Sequence, residues 1–281
     1  MNGFKVTFWG TRGSLPAPEP QFQQTGGNTN CIEVTCNDQT IIIDGGTGLR
    51  SLGNSLAKRK NRKQYEKLHV LLTHAHYDHV EGIPFFAPFF EEGRQIDIYC
   101  GNLDGSKNTK DTVLNLMRRP YFPVGPDVFC ADVTYNDINS GEAFNLTNDI
   151  KVSTVDLNHP GGATGYRIDF EGKSFACITD TEHIPGKPDE AILKLIDQVD
   201  AFVYDCSFTD SELPRYVNFG HSTYEEGMRL CKLANAGCFL AFHHMPSRTD
   251  LQIEKIEAMI KLTMPDCGIA REGTSISLKS R

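Results

Sequence analysis

The stretch Thr73-His74-Ala75-His76-Tyr77-Asp78-His79 sets three imidazoles and a carboxylate within six residues, directly behind the apolar run Leu68-His69-Val70-Leu71-Leu72. Such a run reads as a buried strand that delivers the next residues into a loop. A helix would send His74 and Asp78 to one face and His76 to another, whereas a loop at a strand end can turn all four inward. Neutral imidazole nitrogen and carboxylate oxygen are the donors that Zn²⁺, Fe²⁺ and Mn²⁺ accept.

The same arrangement, an apolar strand with a donor residue where it ends, recurs along the chain. Thr40 to Ile43 leads into Asp44-Gly45-Gly46-Thr47-Gly48, where Asp44 reads either as a group supporting a metal ligand or as a helix cap. Ile150 to Val155 leads to His159, Lys173 to Ile178 to Asp180, Ala201 to Tyr204 to Asp205, and Phe239 to Phe242 to His243-His244. Loops converging at one edge of a sheet are how α/β folds build sites. His221 reads as the start of a helix over Thr223 to Asn235, with capping-box spacing at Ser222-Thr223-Tyr224-Glu225. His69 and His183 read as bystanders. Two aromatic clusters, Ile83 to Phe90 and Tyr121-Phe122-Pro123, read first as packing; facing the donors, they would form an apolar pocket able to stack a base. Between them, Thr109 to Arg119 reads as a helix ended by Pro120.

With 281 residues, 39% hydrophobic and 23% charged, the chain is long enough for one large domain, and one spanning 1–281 is expected. No run of about eighteen apolar residues is present, and Phe4, Val6 and Phe8 open a strand directly, so a cytoplasmic protein with no membrane partner is expected. Nine cysteines without a C-x-x-C pair suggest buried thiols rather than a disulfide framework. The net charge of −8 disfavours large nucleic acids, and the one dense basic run, Lys58 to Lys63, reads as solvated.

The H-x-H-x-D-H spacing resembles the signature of the metallo-β-lactamase superfamily. That resemblance implies an α/β fold, an αββα sandwich of two mixed β-sheets flanked by helices. Strand-rich blocks at roughly 1–100 and 145–245 would supply the two sheets. Carried over by position, it implies one metal site of His74, His76 and His159 and a second of Asp78, His79 and His243, with Asp180 bridging and Asp78 also catalytic. The cofactors implied are two divalent transition metals, Zn²⁺ foremost and Mn²⁺ or Fe²⁺ as alternatives. Gly220-His221-Ser222-Thr223 resembles the phosphodiesterase branch, in which RNase Z enzymes pair that histidine with a carboxylate, and Asp205-Cys206-Ser207-Phe208 offers Asp205 for the role. Phe8 to Ser14 and Gly26 to Asn30 resemble the phosphoribosyl cyclic phosphodiesterase-like group.

RNase Z enzymes hold tRNA with a Gly/Pro-rich arm, and the region after Asp180 has only a short Pro/Gly turn before Ala191 to Val199. The expectation is therefore a phosphodiesterase for a small, cyclic phosphodiester, with His221 as acid and Asp205 holding its ring. RNase Z-like RNA cleavage and lactone or thioester hydrolysis are the alternatives on this fold. A diiron redox protein or a metal-bearing binding module fits less well. Homodimer formation, and substrate contact by Arg12, His244 or Arg248, stay open.

Overall fold

The computed structural model describes residues 3–59, 66–103 and 108–278. The first sheet is built from β1 (Phe4–Gly10), β2 (Cys31–Cys36), β3 (Gln39–Ile43), β4 (Lys67–Leu72), β5 (Gln95–Cys100) and β6 (Asp132–Asp137). The second holds β7 (Ala143–Asn145), β8 (Ile150–Leu157), β9 (Ala163–Phe170), β10 (Lys173–Ile178), β11 (Ala201–Asp205), β12 (Phe239–Phe242) and β13 (Gly268–Ile269). The chain then returns, and β14 (Ser275–Leu278) pairs antiparallel with β1 at the edge of the first sheet. Both sheets are mixed: β3 to β6 run parallel, as do β10 to β13, while β1, β2, β8 and β9 make antiparallel pairs.

Apolar side chains lie on both faces of the central strands, which is why β4 reads as a near-continuous apolar run. Leu71 faces the second sheet in a core with Phe8, Tyr166, Val203 and Phe242. Leu68, Val70 and Leu72 face the other way, under helix α1 (Gly48–Lys58) and the Phe86 and Phe89 rings. The second sheet packs its outer face, with Ile178, Phe202 and Ala241, against α4 (Glu190–Leu195), α5 (Tyr224–Leu233) and α6 (Asp250–Thr263). The result is helix, sheet, sheet, helix, as the sequence implied. Each of the Leu, Ile, Val and Phe side chains among them contributes about 1.5–3 kcal/mol on full burial. The Tyr166 hydroxyl donates to Leu72 O (2.7 Å) and Thr164 N to Thr73 O (2.9 Å), tying the sheets where the histidine loop departs.

Three helical expectations change. α3 covers Thr109–Asn115, short of Arg119, and its last residues form turns. The cap of α5 is Thr223, whose hydroxyl accepts from Glu226 N; Ser222 instead donates to Tyr204 and meets His183 Nδ1 at 2.6 Å. His221 therefore precedes the helix rather than starting it. α6 opens with a capping box, Thr249 with Gln252. Of the basic run, Lys58 ends α1 and Arg59 pairs with Glu33 (2.8 Å); residues 60–63 lie outside the described residues. Among the described residues no helix is long and apolar enough to cross a membrane.

Candidate metal centre

The parallel strands point their C-terminal ends to one edge, so the residue just past each strand arrives there. From the first sheet come Asp44, beyond β3, and the His74–His79 loop, beyond β4, which includes the short helix α2 (Tyr77–Val80). From the second come His159, Asp180, Asp205 and His243, beyond or at the ends of β8, β10, β11 and β12. Asp44, Asp180 and His243 take positive φ (61°, 60° and 56°), a conformation that turns the side chain sharply off the strand line. Non-glycine residues there carry strain of order 1–3 kcal/mol, and such strain collects at functional sites.

Among the described residues three donor groups share Asp180, the third being Asp180 with Asp205, His221 and His243. Of the two that match the expected ligands, His74, His76, His159 and Asp180 form one, and Asp78, His79, Asp180 and His243 the other, with the donor atoms of each within 4.8 Å of one another. Asp180 Oδ2 stands 3.5 Å from His74 Nε2, 3.6 Å from His159 Nε2 and 3.3 Å from His79 Nε2, and its Oδ1 is 3.0 Å from His243 Nε2. Donors about 2.1 Å from a common tetrahedral ion would lie about 3.4 Å apart. His74 Nε2 is buried without a hydrogen-bond partner, as a nitrogen aimed at a cation would be.

The remote ring nitrogens are held by the protein. His79 Nδ1 meets Asp44 Oδ2 (2.8 Å), His159 Nδ1 donates to Gly220 O (2.8 Å), His243 Nδ1 meets Ser207 Oγ (3.1 Å) and His74 Nδ1 meets Thr73 Oγ1 (3.1 Å). Each contact fixes ring orientation and leaves Nε2 for an ion. His76, exposed, presents Nδ1 instead, 3.0 Å from His159 Nε2. Asp44 thus supports a ligand candidate; Thr47, not Asp44, occupies the cap position of α1.

Burial holds His74, His76 and His159 below the usual histidine pKa, which keeps them in the neutral, ligating form. Burial alone would push Asp78 and Asp180 up, but the surrounding imidazoles outweigh it and hold both carboxyls below their ordinary range. His79 moves the opposite way. Burial would lower it, and the charges of Asp78, Asp180 and Asp44 raise it well above 6.5. Four carboxylates, Asp44, Asp78, Asp180 and Asp205, are at most 6% exposed, and their ion pairs in the described residues are with histidines. Cations are what such a donor set suits.

Beside the second group sits a dyad. His221 Nδ1 meets Asp205 Oδ2 at 2.8 Å, and the His221 ring stacks on His243 with centroids 4.9 Å apart. Burial would lower the pKa of His221, but Asp205, joined by the charges of Asp180 and Asp78, more than compensates and raises it to about 9.

A family model described as "Beta-lactamase superfamily domain" matches residues 39–244, well over half the chain. The chain belongs to this superfamily. It is a metal-dependent hydrolase, of a family that binds divalent metals. Among curated relatives, a Ribonuclease Z of Picrophilus torridus is 24% identical over 310 aligned residues, covering 96% of this chain and 94% of the relative. One of Haloarcula marismortui is 22% identical, covering 87% and 86%. Among solved structures, the metallo-β-lactamase fold protein YhfI of Bacillus subtilis superposes with a TM-score of 0.72 at 18% identity, over 98% of this chain and 99% of that one. A diphosphatase of the PhnP family gives 0.70 at 17%, covering 98% of each chain. The short form of human tRNase Z gives 0.68 at 18%, covering 98% and 100%. At these identities the structures speak for the fold.

All seven ligand candidates from the superfamily pattern come together, and so do Asp205 and His221. Of the adjacent histidines, His243 reaches Asp78 and Asp180, whereas His244 Nε2 turns to Ala270 O (3.2 Å). Arg12 and Arg248 also turn inward: Arg12 donates to Gly26 O and Arg248 O, and Arg248 to Ser207 O. The sequence reading missed the residues that make room and hold position. A Cβ at Gly13 would lie 2.2 Å from the His243 ring, and one at Gly220, where φ is 81°, 2.3 Å from His159 Nδ1. Glu182 accepts from Asn218 N and Gly220 N, fixing the loop that carries His221. Ser14 N donates to Asp78 Oδ2 at 2.7 Å. Only the glycines within the T-R-G-S and G-H-S-T stretches hinted at these close approaches.

Proposed function

We propose that the chain hydrolyses a small, cyclic phosphodiester with two divalent metal ions. His74, His76 and His159 would hold one ion, and Asp78, His79 and His243 the other, with Asp180 shared. Ions bound there lower the pKa of water towards neutrality and offset charge on phosphoryl oxygens. Asp78, kept ionised and held by Ser14 N, is placed to accept a hydrogen bond from the attacking water. His221, its Nδ1 tied to Asp205, keeps Nε2 free to donate a proton to the departing alkoxide oxygen.

The observation that carries this reading is the Asp205–His221 pair placed against Asp180 and His243. A charged acid there serves a poor leaving group, which a phosphodiester supplies. A lactone or thioester has less need of it. The small substrate is supported by the net charge of −8 and by the short run, residues 179–189, between β10 and α4. Zn²⁺ suits the imidazole-rich donor set, as do Mn²⁺ and Fe²⁺.

The relatives named Ribonuclease Z favour a second reading, cleavage at an RNA 3′ end by the same residues. Metal-reconstituted protein assayed on cyclic mononucleotides, cyclic dinucleotides, ribose cyclic phosphates and a precursor tRNA separates the two. Turnover of small cyclic diesters with the tRNA left intact is expected. Accurate removal of a 3′ trailer without small-substrate turnover would overturn the proposal in favour of the second reading.

A further inference from the structure

Next to the histidine loop lies a cavity of about 590 Å³ that the chemistry above does not use. Its walls are aromatic: Tyr77 from α2, Phe85 after it, and Tyr121 and Phe122 beyond α3. The two aromatic clusters of the sequence meet here, with Phe85 and Phe122 edge to face at 5.7 Å. Packing does not explain them all. Tyr77 is 79% exposed, Phe85 58% and Tyr121 87%, a cost in exposed apolar surface that a bound flat group would relieve.

Polar groups sit along one side. Thr112 and Asn115, three residues apart on α3, share a face, and Glu81 joins them. Thr112 is 8% exposed, and its hydroxyl has no hydrogen-bond partner among the described residues. Asn115 can both donate and accept. Aromatic walls with a mixed donor and acceptor edge suit a nitrogen heterocycle better than a plain hydrocarbon.

The cavity also connects with the metal centre. A smaller cleft of about 160 Å³, lined by His74 and His76, shares Ala75 and Thr112 with it. A phosphoryl group in the small cleft would place the rest of the same molecule at the mouth of the large one.

We infer that this cavity binds the nucleobase of a free nucleotide, stacked among Tyr77, Phe85, Tyr121 and Phe122, while its phosphate occupies the cleft at His74 and His76. The assignment deepens the phosphodiesterase reading and rests on it for the position of the phosphate. Direct binding tests it. Calorimetric titration of the metal-loaded protein with adenosine monophosphate and with ribose 5-phosphate should show the nucleotide bound roughly 10- to 100-fold more tightly, the range for a base–aromatic stack. Tyr121→Ala and Phe85→Ala, at exposed positions, should reduce that ratio towards one. Equal affinities in the wild type, or a ratio unchanged in both variants with their circular dichroism intact, would overturn the inference. A hexanucleotide bound about 100-fold more tightly than the mononucleotide would also overturn it, by assigning the cavity to an RNA strand. The hydrolysis screen is scored separately. Nucleotide preference without turnover would leave the cavity assigned and remove the proposed activity, whereas turnover with no preference would do the reverse.

Discussion

Replacing Asp205 with Asn tests the proposed acid with little change in shape. Asp205 Oδ1 accepts from Ser207 N and Oγ (3.0 Å each), and an asparagine oxygen can keep both contacts. Its amide nitrogen would then face His221 Nδ1, where a carboxylate oxygen now stands at 2.8 Å. A donor in that place removes the charge that favours imidazolium and leaves a neutral ring protonated at Nε2, a far weaker acid. The raised pKa, from 6.5 to about 9, corresponds to about 3 kcal/mol of preference for the charged ring. Asp205 is first among the groups that raise it, through its charge and its hydrogen bond, ahead of Asp180 and Asp78. At pH 7.5 a ring with a pKa near 9 is almost fully protonated, while one returned to 6.5 is protonated in about one molecule in ten. A general acid acts in its protonated form, so activity is present below its pKa and lost as pH rises through it. Asp205→Asn should therefore move the alkaline limb of the pH–rate profile downward by one unit or more. It should slow hydrolysis of an unactivated cyclic diester by about 10²- to 10⁴-fold. Bis(p-nitrophenyl) phosphate, whose leaving group needs little protonation, should lose far less. Equal losses on the two substrates with metal content intact, or an unmoved alkaline limb, would refute the reasoning.

Three further outcomes are expected. Elemental analysis should find two transition metals per chain in the wild type, fewer in Asp180→Ala and His243→Ala, and two in His244→Ala; retention in His243→Ala with loss in His244→Ala would reverse the ligand choice. Gly13→Ala, whose added Cβ would sit 2.2 Å from the His243 ring, should lose metal from the second group and at least tenfold in activity, measured beside its melting temperature. His69 is buried, with neither ring nitrogen hydrogen-bonded, and burial lowers its pKa from 6.5 to about 4, against Asp97 and with Lys67. Its contribution to stability is complete above pH 6.5 and lost as pH falls towards 4, so urea unfolding of His69→Phe at pH 7 and 4.5 should show an acid sensitivity smaller by about 2–3 kcal/mol. An unchanged difference would place a proton on this ring in the folded state.

The donor set was legible because its chemistry is local: four donors crowd one short loop, and each later donor follows an apolar strand. The strands that escaped notice carry no such signature. β6 is Asp-Val-Thr-Tyr-Asn-Asp, half-buried and polar, β13 is two residues long, and β14 joins the first sheet from the far end of the chain. The end of α3 was placed too late because the residues after Asn115 keep helix-compatible side chains while their backbone turns away. Ser222 and Thr223 are both capping residues, and only tertiary contacts to Tyr204 and His183 decide that Thr223 takes the cap. The roles of Gly13 and Gly220 depend on imidazoles distant in sequence, so no spacing within either motif could announce them.

Both proposed ligand groups draw on both sheets: His74, His76, Asp78 and His79 come from one side, His159, Asp180 and His243 from the other. An ion bound there would be a rivet through the sandwich, and folding stability would become a function of free metal concentration. At a hundred times its dissociation constant, one such ion adds about 2.7 kcal/mol. Chelation would remove that gain and set buried carboxylates against one another at the open edge. Separation of the sheets on heating would then start there, at the end of the sandwich where the loop carrying His221 is pinned to His159 through Gly220.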